Sequence, residues 1–149
     1  MRKNTVKGRP DAVAAYNSIL HVRISDYLRE ELKSCGKGEL VPSYGSVLAV
    51  VYRNNGKVQI KDIYDALSKQ KSTITESINR LVQLGYLEKE ISPEDARCTY
   101  VKATEKADAM HDDFLRISKE LEEQIFQDFT KEEKQVFADL LLRAMNNFR

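Results

Sequence analysis

The feature that most constrains this chain lies between residues 59 and 103, where two short helical patterns are followed at once by two strand patterns. Residues 59–68 carry Ile60, Ile63 and Leu67 at helical spacing. Residues 73–84 carry Ile74, Ile78, Leu81 and Val82 on one helical face, and Thr73 with Glu76 has the spacing of a capping box. Gly85 supplies a stop, and Tyr86–Ile91 and Cys98–Ala103 then read as short strands around the polar, turn-rich Ser92-Pro93-Glu94-Asp95-Ala96-Arg97. Two helices, a turn and a hairpin make a helix-turn-helix followed by a wing. None of these pieces is long enough to bury its apolar face alone, so each needs neighbours.

The neighbours are helical. Residues 11–34 read as a helix through Val13, Tyr16, Leu20, Ile24, Tyr27 and Leu28, with Asp11 placed to accept from the first-turn amides and Cys35-Gly36-Lys37-Gly38 to end it. A second helix is predicted from Pro42-Ser43, with Ser43 as candidate cap, to Asn54-Asn55-Gly56. Its inward face is Tyr44, Val47, Leu48, Val51 and Tyr52. From Thr104 a stripe of Met110, Phe114, Ile117, Leu121 and Ile125 predicts a long helix. Thr130 with Glu133 suggests a capping box opening a last helix that carries Val136, Phe137, Leu140, Leu141, Met145 and Phe148. These terminal stripes are too apolar to face water. Periodicity alone leaves open whether they fill a monomer core or a subunit interface.

Composition narrows the function by exclusion. The chain has 149 residues and a net charge of +1, distributed as +1 over 57–106 and −4 over 107–149, while residues 1–10 carry Arg2, Lys3, Lys7 and Arg9 and no acid. That is a small basic surplus for a nucleic-acid binder, so the cations must converge on one face to matter. Cys35 and Cys98 are too few for a disulfide framework and lack metal-ligand spacing; they read as two reduced thiols. His21 and His111 are isolated, so no metal or cofactor is assigned. There is no phosphate loop, nucleophile–base order or carboxylate cluster, so no catalytic residue is named and the chain is not read as an enzyme. No apolar run nears the roughly 20 residues that cross a bilayer, and no signal-type stretch follows the basic start, so a cytoplasmic protein is expected.

Several fragments, taken in order, resemble the multiple-antibiotic-resistance regulator (MarR) family of bacterial repressors. They are Leu40-Val41-Pro42-Ser43-Tyr44 with Val47-Leu48, then Lys71-Ser72-Thr73-Ile74-Thr75, Arg80-Leu81 and Gly85-Tyr86-Leu87. Ser92–Arg97 with Val101 and Thr104-Glu105-Lys106 completes the series. The resemblance implies a mainly α fold with a small β-hairpin wing, a winged helix-turn-helix dimerising through its N- and C-terminal helices. Within a single domain it assigns 11–39 to an N-terminal dimerisation helix, 40–107 to the DNA-binding region and 108–149 to C-terminal dimerisation helices. It further implies a homodimer on a pseudo-palindromic double-stranded operator, and repression relieved by a small ligand or by oxidation. The chain departs from the family pattern at Tyr64 and Ser68, where Ala and Gly are usual. It departs also at Lys69 in the turn, at Ala96 in the wing, and at Ala107 in place of Gly.

With Ile74, Ile78, Leu81 and Val82 inward, the second short helix turns Ser72, Thr73, Thr75, Glu76, Asn79, Arg80 and Gln83 outward, beside Lys71. Hydroxyls and amides can read base edges in a major groove while cations hold phosphates, and a helix N-terminus adds free amides. Glu76 is read mainly as the partner of Thr73 in the cap. Arg97 at the hairpin tip suits a narrow minor groove, with Asp95 placed to brace it, and Lys89 and Lys102 are candidate phosphate contacts. The expected DNA contacts are therefore Lys71, Ser72, Thr73, Thr75, Glu76, Asn79, Arg80, Lys89 and Arg97. The resemblance also implies a cleft for a small phenolic or other aromatic ligand, for which Tyr16, Tyr44, Val47, Val51 and Met110 are the candidate lining. Two other readings stay open: a winged-helix module for protein–protein contact, and a thiol-based redox-sensing regulator.

Overall fold

The computed structural model describes residues 7–67 and 69–148, so Ser68 and the basic residues Arg2 and Lys3 lie outside the described residues. One turn of 3-10 helix, Pro10–Ala12, leads into α1, Val13–Ser34; α2 spans Pro42–Arg53. The winged region follows as β1 Lys57–Gln59, α3 Ile60–Ala66, α4 Lys71–Gln83, β2 Leu87–Ile91 and β3 Thr99–Ala103. The long α5, Glu105–Ile125, and α6, Lys131–Asn146, complete the chain. The architecture is mainly helical with one small antiparallel sheet.

Apolar burial organises it. Val47, Leu48 and Val51 of α2, Ile63 of α3, and Ile74, Ile78 and Leu81 of α4 are buried together with Val58, Leu87 and Val101 of the sheet and Met110 and Ile117 of α5. Each large side chain of this cluster contributes about 1.5–3 kcal/mol relative to exposure. All three strands join one sheet in the order β1-β3-β2, with Val58 opposite Val101 and Leu87 opposite Ala103. The strand β1 was not expected. Three residues with a single inward Val58 carry too little alternation to be read from sequence.

Several end signals differ from expectation. Asp11 does not cap α1; its carboxylate pairs with Arg9, and the cap residue is Ala12. Ser43 is likewise no cap, because Pro42 already occupies the first turn of α2 and Val41 holds the cap position without a side-chain bond. The capping box expected at Thr73–Glu76 is absent, since α4 begins two residues earlier, at Lys71, and puts Thr73 inside the helix. The box at Thr130 and Glu133 forms as expected: Thr130 Oγ1 accepts from Glu133 N at 3.1 Å, and Thr130 N donates to Glu133 Oε2 at 2.8 Å.

The exit from α4 is tied on every side. Gly85 has φ +80°, and the Tyr86 and Gly85 amides donate back to Leu81 O and Val82 O, the double closure of a left-handed helix end. Tyr86 is fully buried and donates its hydroxyl to Glu39 Oε1 at 2.6 Å, while Lys106 Nζ donates to Leu84 O at 2.8 Å and lies over the Tyr86 ring. The loop after α1, the end of α4 and the start of α5 are thereby held at one point. On the other side, Tyr52 of α2 donates to Ala107 O at 2.7 Å and stacks on His111; burial pushes its phenol up to about 12.

The ends of the chain pack differently. α6 meets the end of α5 through Phe126, Phe129 and Phe137, whose ring centroids lie 5.5–6.0 Å apart. Beyond that trio Val136, Leu140, Leu141, Leu142 and Met145 are exposed, as are Val13, Tyr16, Ile19 and Val22 on α1. The expected stripes exist, but the monomer leaves much of them in water. No helix among the described residues is long and apolar enough to cross a membrane.

The Tyr86–Glu39 contact gives a test of this packing. The hydrogen bond from Tyr86 is the chief reason that the Glu39 carboxyl sits below its ordinary value of 4.5. A carboxyl depressed by folding adds stability above its unfolded pKa and loses it as pH falls through the folded one. Tyr86→Phe is expected to cost about 1 kcal/mol at neutral pH, and the gap to wild type should narrow in urea titrations below about pH 4.5.

Candidate nucleic-acid interface

Burial of Ile74, Ile78 and Leu81 decides which side of α4 meets solvent. Lys71, Ser72, Thr73, Glu76, Asn79, Arg80 and Gln83 are all exposed there. Gln70 holds the cap position without a side-chain bond, so the positive end of the helix is open on the same side. Arg80 donates to Gln83 at 2.7 Å, and Asn79 Oδ1 accepts from Lys89 Nζ of β2 at 2.7 Å.

Thr75 is placed differently from its expected neighbours. It is half-buried and donates its one hydroxyl proton to Lys71 O at 2.8 Å. The Tyr64 hydroxyl, 2.8 Å from Thr75 Oγ1, must then be the donor in that pair. Lys71 Nζ lies over the Tyr64 ring at 5.6 Å. Thr75 therefore has no proton left to offer a base edge, and in this structure it ties α3 to α4. In the sequence Tyr64 stands out only as a departure from the family pattern. Its spacing of 11 residues from Thr75 was visible, but the pairing needed the crossing of two helices.

At the tip of the wing, Asp95 braces Arg97 as expected. Asp95 Oδ1 accepts from Arg97 N at 2.9 Å and from Arg97 Nε at 3.2 Å, and these bonds hold its carboxyl below the usual range. The Arg97 side chain is 92% exposed and projects from the hairpin. Lys102, on the wing strand β3, lies 3.6 Å from Glu88.

A second feature lies on the other side of α2. An apolar pocket of about 60 Å³ opens between α1, α2 and α5, lined by Leu28, Leu40, Tyr44, Leu48, Met110 and Phe114 among others. Of the five residues expected to line a ligand cleft, Tyr44 and Met110 are in this wall. Val47 and Val51 are instead sealed in the core, because they sit on the face of α2 turned towards the sheet and α4. Tyr16 stands apart near the start of α1, where its hydroxyl meets the Arg9 amide. In the sequence Leu28, Leu48 and Phe114 mark only helix faces, and Leu40 precedes a helix. Their convergence from three helices left no local mark.

The two cysteines lie in different surroundings. Arg116 Nη2 is 3.0 Å from Cys35 Sγ and the same guanidinium joins Glu31 and Glu120, while Cys98 Sγ lies 3.7 Å from Asp95 Oδ2. No group of three or more candidate metal ligands occurs among the described residues.

Residues 44–107 match the family described as winged helix DNA-binding domain. Among solved structures, the chain superposes on an organohalide-sensing transcriptional regulator in its 2,4-dichlorophenol-bound form with a TM-score of 0.81, at 16% identity, covering 99% of this chain and 90% of that one. It superposes on a variant of MarR from E. coli complexed with operator DNA with a TM-score of 0.72, at 19% identity, covering 93% and 99%. The fold is the winged helix, shared over nearly the whole chain with these solved structures. In sequence the chain is 26% identical over 99 residues to the uncharacterized regulator YwhA of Bacillus subtilis, covering 66% of this chain and 70% of that one. The family match spans α2 to the first turn of α5 and thus contains the whole of α4 and the wing.

In this chain, the Tyr64–Thr75 pair separates a structural role from a reading role. Thr75→Val and Tyr64→Phe are each expected to lower the unfolding free energy by about 1 kcal/mol. The double variant should lose less than the sum, because both changes break one shared bond. Urea melts measure this. Thr75→Val should leave the order of preferred DNA sequences unchanged; a new base preference would make Thr75 a reader.

Proposed function

We propose that this protein is a cytoplasmic, sequence-specific transcriptional repressor of MarR type that binds a pseudo-palindromic operator as a homodimer and is released by a small aromatic molecule. The observation that carries the DNA-binding mode is the common outward face of the open α4 N-terminus and the braced Arg97. Laid in a major groove, α4 brings Lys71, Ser72 and Thr73 to the backbone and Asn79 and Arg80 to base edges or phosphates, while Glu76 points the same way. Arg97, prepaid in orientation by Asp95, enters the adjoining minor groove. A protein-binding surface would present apolar anchors, and this face presents hydroxyls, amides and cations.

The dimer reading rests on the apolar residues left in water on α1 and α6, within the segments 11–39 and 108–149 assigned above to dimerisation. A two-fold axis through them would set two α4 helices about one helical turn of DNA apart. The release reading rests on the pocket framed by Tyr44 and Met110, which is apolar; at about 60 Å³ it has to widen to admit a ring. Gly45 also lines it, and a Cβ there would meet nothing within 4 Å, so the pocket has room beside α2. The oxidation reading is set aside: Cys35 lies at the end of α1 beside Arg116 and Cys98 lies in the wing beside Asp95, so the two thiols belong to separate parts of the fold.

The decisive experiment is a gel-shift panel with genomic fragments at moderate salt, followed by footprinting of any bound fragment. A protected site with two related half-sites is expected, and a single asymmetric half-site would defeat the dimer. Leu140→Asp with Met145→Asp should yield a monomer in sedimentation and abolish the footprint. Arg97→Ala should weaken the complex by about 1–3 kcal/mol. Release should follow addition of 2,4-dichlorophenol or another small phenol. Gly45→Leu, which fills the pocket, should keep DNA binding and lose the release. A Cys35→Ser, Cys98→Ser double variant is expected to retain both binding and release. Loss of DNA binding on mild peroxide in the wild type, but not in that variant, would reinstate oxidation.

A further inference from the structure

Lys89 is aimed at the recognition helix by the alternation of the sheet. In the β2–β3 ladder Leu87 lies opposite Ala103, and Lys89 lies opposite Val101. Opposed residues and every second residue along a strand share one face. Leu87, Val101 and Ala103 are all buried in the core, so Lys89 belongs to the core-facing side of the sheet, at its rim. A long side chain there lays its methylenes against the edge of the core and sends its ammonium out past it. That path ends on α4, where Lys89 Nζ donates to Asn79 Oδ1 at 2.7 Å.

An ammonium only donates, so the amide of Asn79 has a defined orientation. Its oxygen is turned to the wing, and its Nδ2 is left with two protons. We propose that Lys89 is a positioning residue that makes Asn79 a donor towards DNA, so that the base pair beneath it is chosen for acceptors. This rests on α4 being the reading helix, as proposed above, and gives that helix one specificity rule. Guanine presents two acceptors side by side in the major groove, N7 and O6, and fits a donor-only amide. The paired contact of a free asparagine with adenine requires the amide oxygen to accept from the N6 amino group. In this chain the ammonium of Lys89 takes one of that oxygen's two lone pairs and turns it towards the wing, which disfavours the paired adenine contact. Lys89 then acts on sequence preference through Asn79 and not as a phosphate anchor.

The test is in vitro selection from a randomised duplex library at one fixed salt concentration, with the full chain and with Lys89→Met, Lys89→Arg and Asn79→Ala. Thermal melts of each variant establish that it is folded. The wild type is expected to choose guanine over adenine by about tenfold or more at one position of each half-site. Asn79→Ala should erase the preference there. Lys89→Met should move the same position towards adenine, and Lys89→Arg, which still donates to the amide oxygen, should restore guanine. An unchanged motif in Lys89→Met, with a salt dependence of binding shallower by about one charge per subunit, would make Lys89 a phosphate contact and overturn the proposal. Adenine at the Asn79 position in the wild type would overturn it as well. A wild type that selects no motif would remove the DNA-reading role of α4, and the proposal with it; that result is distinct from a motif insensitive to Lys89.

Discussion

The structure depends first on the burial of one face of α4. Ile74, Ile78 and Leu81 lock against Ile63, the inner face of α2 and the sheet, and this contact settles the rotation of α4 about its own axis. A helix turned by a single residue would move about 100° and exchange Asn79 and Arg80 for apolar side chains. The outward face of the helix is thus a by-product of the core. The wing is held by the same cluster, because Val58, Leu87 and Val101 are both its inward strand residues and part of that core.

Polar contacts then refine what the core has oriented. Three of them involve residues on or beside the outward face of α4: Tyr64 with Thr75, Lys89 with Asn79, and Arg80 with Gln83. Each takes up donors or acceptors that a list of exposed side chains would count as free. Thr75 loses its proton to the helix backbone, and Asn79 turns its oxygen to the wing. The face presented to a partner is therefore narrower, and more specific in hydrogen-bond sense, than its residue types suggest. At the far end of α4, the links from Tyr86 to Glu39 and from Lys106 to Leu84 join this helix to the loop after α1, whose Leu40 forms part of the pocket wall. A change in that wall lies one buried tyrosine away from the end of α4.

Residues at the two ends of the chain show a different balance. The stripes on α1 and α6 have the period of buried helix faces, yet Val13, Ile19, Val136, Leu140 and Met145 stand in water in the single chain. The aromatic trio of Phe126, Phe129 and Phe137 fixes how α6 folds back on α5 without covering the rest of it. Exposed apolar faces of this kind mark contact surfaces more often than accident.

What the sequence determined by itself was local and periodic. Apolar spacing located α1, α2, α4, α5 and α6 and the two wing strands nearly to the residue, and the capping box at Thr130 was legible because both partners lie within one helical turn. Asp95 bracing Arg97 was legible for the same reason, as two residues of one loop. What only the tertiary structure decided were the relations between elements. Helix starts at Lys71 and Pro42 overrode the caps expected from Thr73 and Ser43, because the packed core chose where each helix began. β1 exists because β3 supplies its hydrogen bonds, and three residues alone cannot signal that. Val47 and Val51 went to the core and Leu28, Leu40 and Phe114 to the pocket, since a helix pattern states that a face is buried but not which neighbour buries it. The pairing of Lys89 with Asn79 spans a helix end, a turn and part of a strand. Spacing in the chain carries no record of a hydrogen bond that forms only when the sheet folds back against the helix.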